Sequence, residues 1–183
     1  DQFGYSVSLS GNLVAVGAPY EDGRYEGIIN DNYGYSQYND YDYGAVYIFH
    51  RVDNSWFQTA YIKQSEQDNY DNFGWSVSLD DSVLAVGAYR EDSSIQSIIN
   101  YSSIPENNYY SNSGAVYVYT LENSLWSETA YIKAVNSDPS DEFGGKVALD
   151  GGKLVVGSQH EDSNATVITN GEKASHDDSS QNS

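Results

Sequence analysis

The chain has 183 residues, and its 27 acidic side chains against 8 Lys and Arg leave a formal charge of −19. A polyanion of this kind repels phosphate backbones and anionic lipid surfaces, so neither nucleic acid nor a membrane surface is an expected partner. There is no Cys, which excludes disulfides, thiolate metal sites and a Cys nucleophile, and the longest apolar run, residues 13–18, is far too short to insert across a membrane.

Residues 5–10 alternate, with Val7 and Leu9 on one side and Ser6, Ser8 and Ser10 on the other, which predicts a half-polar strand. Ser10-Gly11-Asn12 reads as a tight turn. Residues 13–18 are apolar on both faces and predict a strand covered on both sides. Glu21-Asp22 opens a long connection that holds Tyr20, Tyr25, Tyr33, Tyr35, Tyr38, Tyr41 and Tyr43 among Asp, Asn and Gly. Residues 45–49 are again apolar on both faces, Ala45, Tyr47 and Phe49 opposite Val46 and Ile48. After the turn Asp53-Asn54-Ser55, residues 56–63 alternate, with Trp56, Ala60 and Ile62 expected on one face. No stretch keeps a helical period.

The same order of elements then recurs. Asp1-Gln2-Phe3-Gly4 returns as Asp71-Asn72-Phe73-Gly74 and as Asp141-Glu142-Phe143-Gly144, a spacing of 70 residues each time. Residues 1–70 and 71–140 share 27 identical positions without a gap, which fixes the phase of the repeat. The units are residues 1–70, 71–140 and a partial third, 141–183, with a polar tail. Each full unit predicts four short strands, the middle two covered on both faces. An all-β, β-propeller-type array of four-stranded antiparallel blades accounts for that pattern better than a two-layer sandwich, whose strands keep one face in water.

Phe3-Gly4 followed by Val16-Gly17-Ala18-Pro19 resembles the FG-GAP repeat, and Trp56 with Ala60-Tyr61-Ile62-Lys63 is closest to the longer repeats of microbial surface proteins. The resemblance runs to about residue 170. It implies propeller blades like those of integrin alpha chains and an extracellular or cell-surface protein acting in adhesion or in protein or glycan recognition. Integrin-type blades often carry a calcium loop between their first two strands. The Ser10-Gly11-Asn12 turn is too short to supply six or more oxygen ligands, so no metal is assigned. No cofactor and no catalytic residue are assigned either, because no nucleophile, zinc or phosphate-loop motif is present.

The Tyr-rich connections are candidate contact surfaces, with Tyr33, Tyr35, Tyr38, Tyr41, Tyr43, Tyr109 and Tyr110 as contact residues. Packing of these rings on neighbouring blades explains them equally well. Ile28-Ile29-Asn30 recurs as Ile98-Ile99-Asn100, which argues for defined structure inside the connection. Glu21-Asp22 recurs as Glu91-Asp92 and Glu161-Asp162, and recurrence in every copy favours a role in the fold over a weak cation site. Asn100 and Asn164 open glycosylation sequons at no more than the chance frequency.

Four, four and two strands do not close a ring. The chain is therefore expected to pair with other blades of its own protein or with neighbouring copies. The alternative to a recognition module is a fibre subunit that assembles head to tail. The absence of Met, with no signal peptide ahead of Asp1, fits a processed chain or a piece of a longer one.

Overall fold

The computed structural model describes residues 1–31, 41–100 and 107–163. Among these the protein is all-β and antiparallel, without helix. The first sheet contains β1 (Ser6–Ser10), β2 (Leu13–Ala18), β3 (Ile28–Ile29), β4 (Ala45–Val52) and β5 (Ser55–Ile62), in the order β1-β2-β4-β5-β3. The second repeats it with β6 (Ser76–Asp80), β7 (Val83–Ala88), β8 (Ile98–Asn100), β9 (Ala115–Glu122) and β10 (Leu125–Ile132), in the order β6-β7-β9-β10-β8. β11 (Lys146–Asp150) and β12 (Lys153–Gly157) form a hairpin that continues the series.

Each full sheet therefore has a fifth strand beyond the expected four. Ile28 and Ile29 pair with Ile62 and Tyr61, and β8 pairs with residues 130–132 of β10 in the same way. Two adjacent β-branched residues suffice to extend the edge of an existing sheet. Asn30, next in sequence, reaches the following sheet: its side-chain amide donates to the Trp126 carbonyl at 3.2 Å and accepts from the Trp126 amide at 2.7 Å.

The two faces of each sheet differ in character. In the second sheet Phe73, Val77, Leu79, Leu84, Val86, Tyr117, Tyr119, Trp126 and Tyr131 are buried on what we call the front face. The first sheet presents its back face to them, built from the smaller Ala15, Val46, Ile48, Ala60 and Ile62, and together these residues form one core. β1 lies against β6, and β6 against β11, so successive sheets stack with their first strands adjacent. Among the described residues the stack is open and does not close into a ring.

One face assignment is corrected. β5 has a bulge at Thr59, since Ile48 pairs with Ala60 while Phe49 pairs with Gln58. β10 has the same irregularity between Glu128 and Ala130. The extra residue reverses the alternation. Trp56 therefore lies on the front face, opposite to Ala60 and Ile62, and it is 45% exposed while they are fully buried.

Candidate interaction surface

The connections that follow β2, precede β4 and follow β5 all gather at one end of the stack. Their foundation is a buried ion pair. Glu21 and Lys63 are both almost fully buried, and the Lys63 Nζ lies 2.6 Å from Glu21 Oε2. The same oxygen accepts the Tyr61 hydroxyl at 2.7 Å, and Oε1 accepts the Gly23 amide at 3.0 Å. Burial lowers the Lys63 ammonium from its ordinary value, with the Glu21 carboxylate acting against that shift. Burial and then Glu21 push the Tyr47 hydroxyl up to about 12. The second sheet repeats the pair as Lys133 and Glu91 at 2.7 Å, with Ser113 Oγ also 2.6 Å from Lys133 Nζ. Three satisfied lone-pair directions explain how a carboxylate tolerates this burial.

The neighbouring aspartates hold the far end of the connection. Asp22 Oδ1 accepts the amides of Tyr41 and Asp42 at 3.3 and 3.1 Å. Asp92 Oδ1 accepts the amide of Asn112 at 2.7 Å. In the third unit Glu161 is exposed and accepts from Asn136 and Ser163. The Glu-Asp pairs thus bind the chain's own lysines and amides. Sequence reasoning missed the lysine partners, although Lys63 and Lys133 recur in the same phase as Glu21 and Glu91.

Above this foundation the expected contact residues separate. Tyr41 is 41% exposed and Tyr109 is 82% exposed. Tyr43 is buried, with the Lys63 ammonium 5.6 Å from its ring centroid, and Tyr110 is half-buried. Tyr33, Tyr35, Tyr38 and Asn164 lie outside the described residues. Asn100 is exposed at the end of β8. Tyr41 meets Tyr70 edge to face at 6.4 Å, and Tyr70 is itself exposed, a position the sequence did not single out. Glu26, Ser65, Glu66, Gln67, Asp68 and Asn108 line an open polar cleft of about 380 Å³, and Asp68 precedes Tyr70 by two positions in the chain. Exposed aromatic edges around short carboxamide and carboxylate groups can stack on and hydrogen-bond to a polyhydroxylated or peptide ligand.

The seams between sheets explain the glycines of the repeated motifs. A Cβ on Gly17 would lie 2.1 Å from the Gly74 carbonyl oxygen, and one on Gly74 would lie 2.5 Å from that of Ala45. The next seam repeats both contacts, Gly87 on Gly144 and Gly144 on Ala115. The Phe-Gly of one unit therefore sits directly on the Gly-Ala segments of the unit before it. The family profile described as the FG-GAP repeat matches residues 1–49, 56–119 and 126–172. The chain belongs to the FG-GAP repeat family. The middle FG-GAP match takes β5 from the first sheet together with β6, β7, β8 and most of β9 of the second, so the matched unit spans a seam. FG-GAP repeats are typically extracellular and suggest a domain of the adhesion or recognition type. No curated protein matches the chain.

Proposed function

We propose that this FG-GAP chain is a non-catalytic propeller segment of a secreted or cell-surface protein. It acts in adhesion or in recognition of a protein or glycan through its Tyr-, Asp- and Asn-rich loop end. The observation that carries this reading is the exposed Tyr41–Tyr70 pair, next along the chain to Asp68 of the polar cleft. Aromatic area at low conformational cost beside adaptable hydrogen-bonding groups is the composition of recognition surfaces. The buried Glu21–Lys63 pair supports it from below by fixing the loop ends. Partners of this surface are glycans or surface proteins, and the stacked faces engage other blades.

The test is a glycan array and a surface-protein pull-down with the chain and with a variant in which Tyr33, Tyr35, Tyr38, Tyr41, Tyr70 and Tyr109 are replaced by Ser. Tyr43 is retained because it is buried. Loss of binding with an unchanged circular-dichroism spectrum is expected. Binding that survives all six replacements removes the loop surface from the function.

A further inference from the structure

Two positions of the repeat stand side by side where the first strands begin. One is the residue just ahead of the first strand, Tyr5, Trp75 and Gly145 in successive units. The other lies just past the second strand, Pro19-Tyr20, Tyr89-Arg90 and Gln159-His160. The backbone fixes both. The amides of Tyr5 and Trp75 donate to the carbonyls of Gln2 and Asn72 at 3.1 Å, and the Tyr20 amide donates to that of Asp1 at 3.3 Å.

At the first seam the rings join into one patch. The ring centroids of Tyr5 and Trp75 are 4.4 Å apart and those of Trp75 and Tyr89 4.2 Å, with the planes tilted by 41° and 38°. Tyr20 stands across Tyr5 at 78° and across Trp75 at 66°, so the rings form a corner and not a flat wall. The Arg90 guanidinium lies 5.1 Å from the Tyr89 ring centroid. Burial raises the Tyr89 hydroxyl; Arg90 opposes that shift, while Tyr20, Glu142 and Tyr5 add to it. The hydroxyl thus sits in the field of a cation and an anion. Glu142 Oε2 is in turn 3.0 Å from His160 Nδ1. Tyr5 is 44% exposed, Tyr20 and Trp75 are half-buried and Arg90 is exposed, so the corner and its charged end face solvent.

The fold does not require these rings. β11 and β12 pair in the same register as β6 and β7, Lys146 with Gly157 and Ser76 with Gly87, although Gly145 and Gln159 take the ring positions. There the Gln159 amide nitrogen lies 3.6 Å from where a Cβ of Gly145 would stand. The second seam also forms the same serine bond as the first with no ring at 145: Ser6 Oγ donates to the Gly74 carbonyl and Ser76 Oγ to that of Gly144, each at 2.7 Å.

The chemistry of the patch selects among ligands. Aromatic rings pack against the C–H face of a pyranose or against a proline ring. Arg90 supplies donors and Glu142 acceptors at one end, and vicinal hydroxyls answer both. A proline-rich segment offers carbonyl acceptors but few donors, since proline has no amide hydrogen. A charge of −19 repels uronate and sulfate sugars. That leaves a neutral pyranose, and one with every substituent equatorial presents flat C–H faces to the walls of the corner.

We propose that the Tyr5–Tyr20–Trp75 corner, with Arg90 and Glu142 at its end, is a binding subsite for a neutral, gluco-configured pyranose of a polysaccharide. It shares no residue with the Tyr41–Tyr70 surface and does not rest on that reading. The test is calorimetry of the whole chain with cellohexaose, with the indole resonance of Trp75 followed by NMR. Saturable binding that shifts this resonance is expected. Tyr20→Ser and Arg90→Ala are each expected to weaken it at least about tenfold, with the melting temperature unchanged. The loop-end variant with six Tyr replaced by Ser is expected to bind cellohexaose as the unaltered chain does, and a galacturonate hexamer is expected not to bind. Absence of cellohexaose binding overturns the subsite, as does binding that both single replacements leave intact. Loss of binding in the loop-end variant alone assigns the sugar to the loop surface and overturns it too. Equal binding of the galacturonate hexamer overturns the choice of a neutral sugar, and preferential binding of a proline-rich peptide overturns the choice of carbohydrate.

Discussion

At the scale of single residues the strongest commitments are the buried charges. Glu21 and Lys63 are 42 residues apart in sequence and meet directly, both buried. Removing one partner strands the other, so Glu21→Gln and Lys63→Met are each expected to cost about 3–5 kcal/mol. The double variant is expected to recover at least half of that sum, as measured by urea denaturation in a double-mutant cycle. Simple additivity would show that the pair is not coupled. Asp71 gives a pH signature. Burial, and then the charge of Glu91, raises its carboxyl well above 3.8. One carboxylate oxygen accepts from Gln64 and from the Asp68 amide, while Oδ1 has no hydrogen-bond partner. The native state holds this proton more tightly than the unfolded chain does. Its contribution to stability is therefore complete below the unfolded value and is lost as pH rises through the raised native value. Asp71→Asn removes that loss. Its melting temperature is expected to gain on the wild type as pH rises above the ordinary carboxylate range, and a difference that stays constant with rising pH would rule the effect out. None of this was visible from composition. The recurrence of Glu21 and Lys63 was on the page, but their pairing depends on which strand ends meet.

At the scale of elements, the strands of residues 5–10, 13–18, 45–49 and 56–63 were legible because period-two alternation and double-sided apolar runs each have one explanation in a sheet. The bulge at Thr59 was not, because an inserted residue leaves no mark in a pattern eight residues long. Trp56 was consequently placed on the wrong face, and Trp126 shows why the position is apolar at all: in the covered sheet it is 4% exposed. The short β3 was half-legible. Ile28-Ile29-Asn30 recurred, but two residues are too few to show alternation. The glycine seams yield a sharp contrast between equivalent strand positions. Gly17→Ala puts a methyl group 2.1 Å from the Gly74 oxygen, and Gly87→Ala does the same at 2.0 Å from Gly144. Gly157→Ala makes only ordinary contact at 3.6 Å. Backbone cannot move aside as a side chain can, so the first two are expected to cost about 1–3 kcal/mol and the third about 0.5 kcal/mol or less. Equilibrium denaturation of the three single variants checks this, and equal costs at all three positions would mean that strand propensity, not close approach, selects the glycines.

At the scale of the whole molecule, a charge of −19 is spread over an open stack that leaves Phe3, Val7, Leu9 and Trp56 in water. The two features act against each other. Self-repulsion among the carboxylates destabilises the compact state, and between molecules it keeps exposed apolar faces apart. The ionised pairs that matter to the interior, Glu21–Lys63 and Glu91–Lys133, are buried and little affected by mobile ions. Added salt therefore screens mainly the repulsive surface terms. Raising NaCl from about 0.05 M to 1 M shortens the screening length to about 3 Å, and the melting temperature is expected to rise and then level off. Sedimentation over the same series is expected to show weak association appearing at high salt, removed by Leu9→Asp on the open face. A melting temperature that falls with salt would place the net electrostatic contribution in attractive surface pairs. Association insensitive to Leu9→Asp would assign the contact to the loop end instead of the front face.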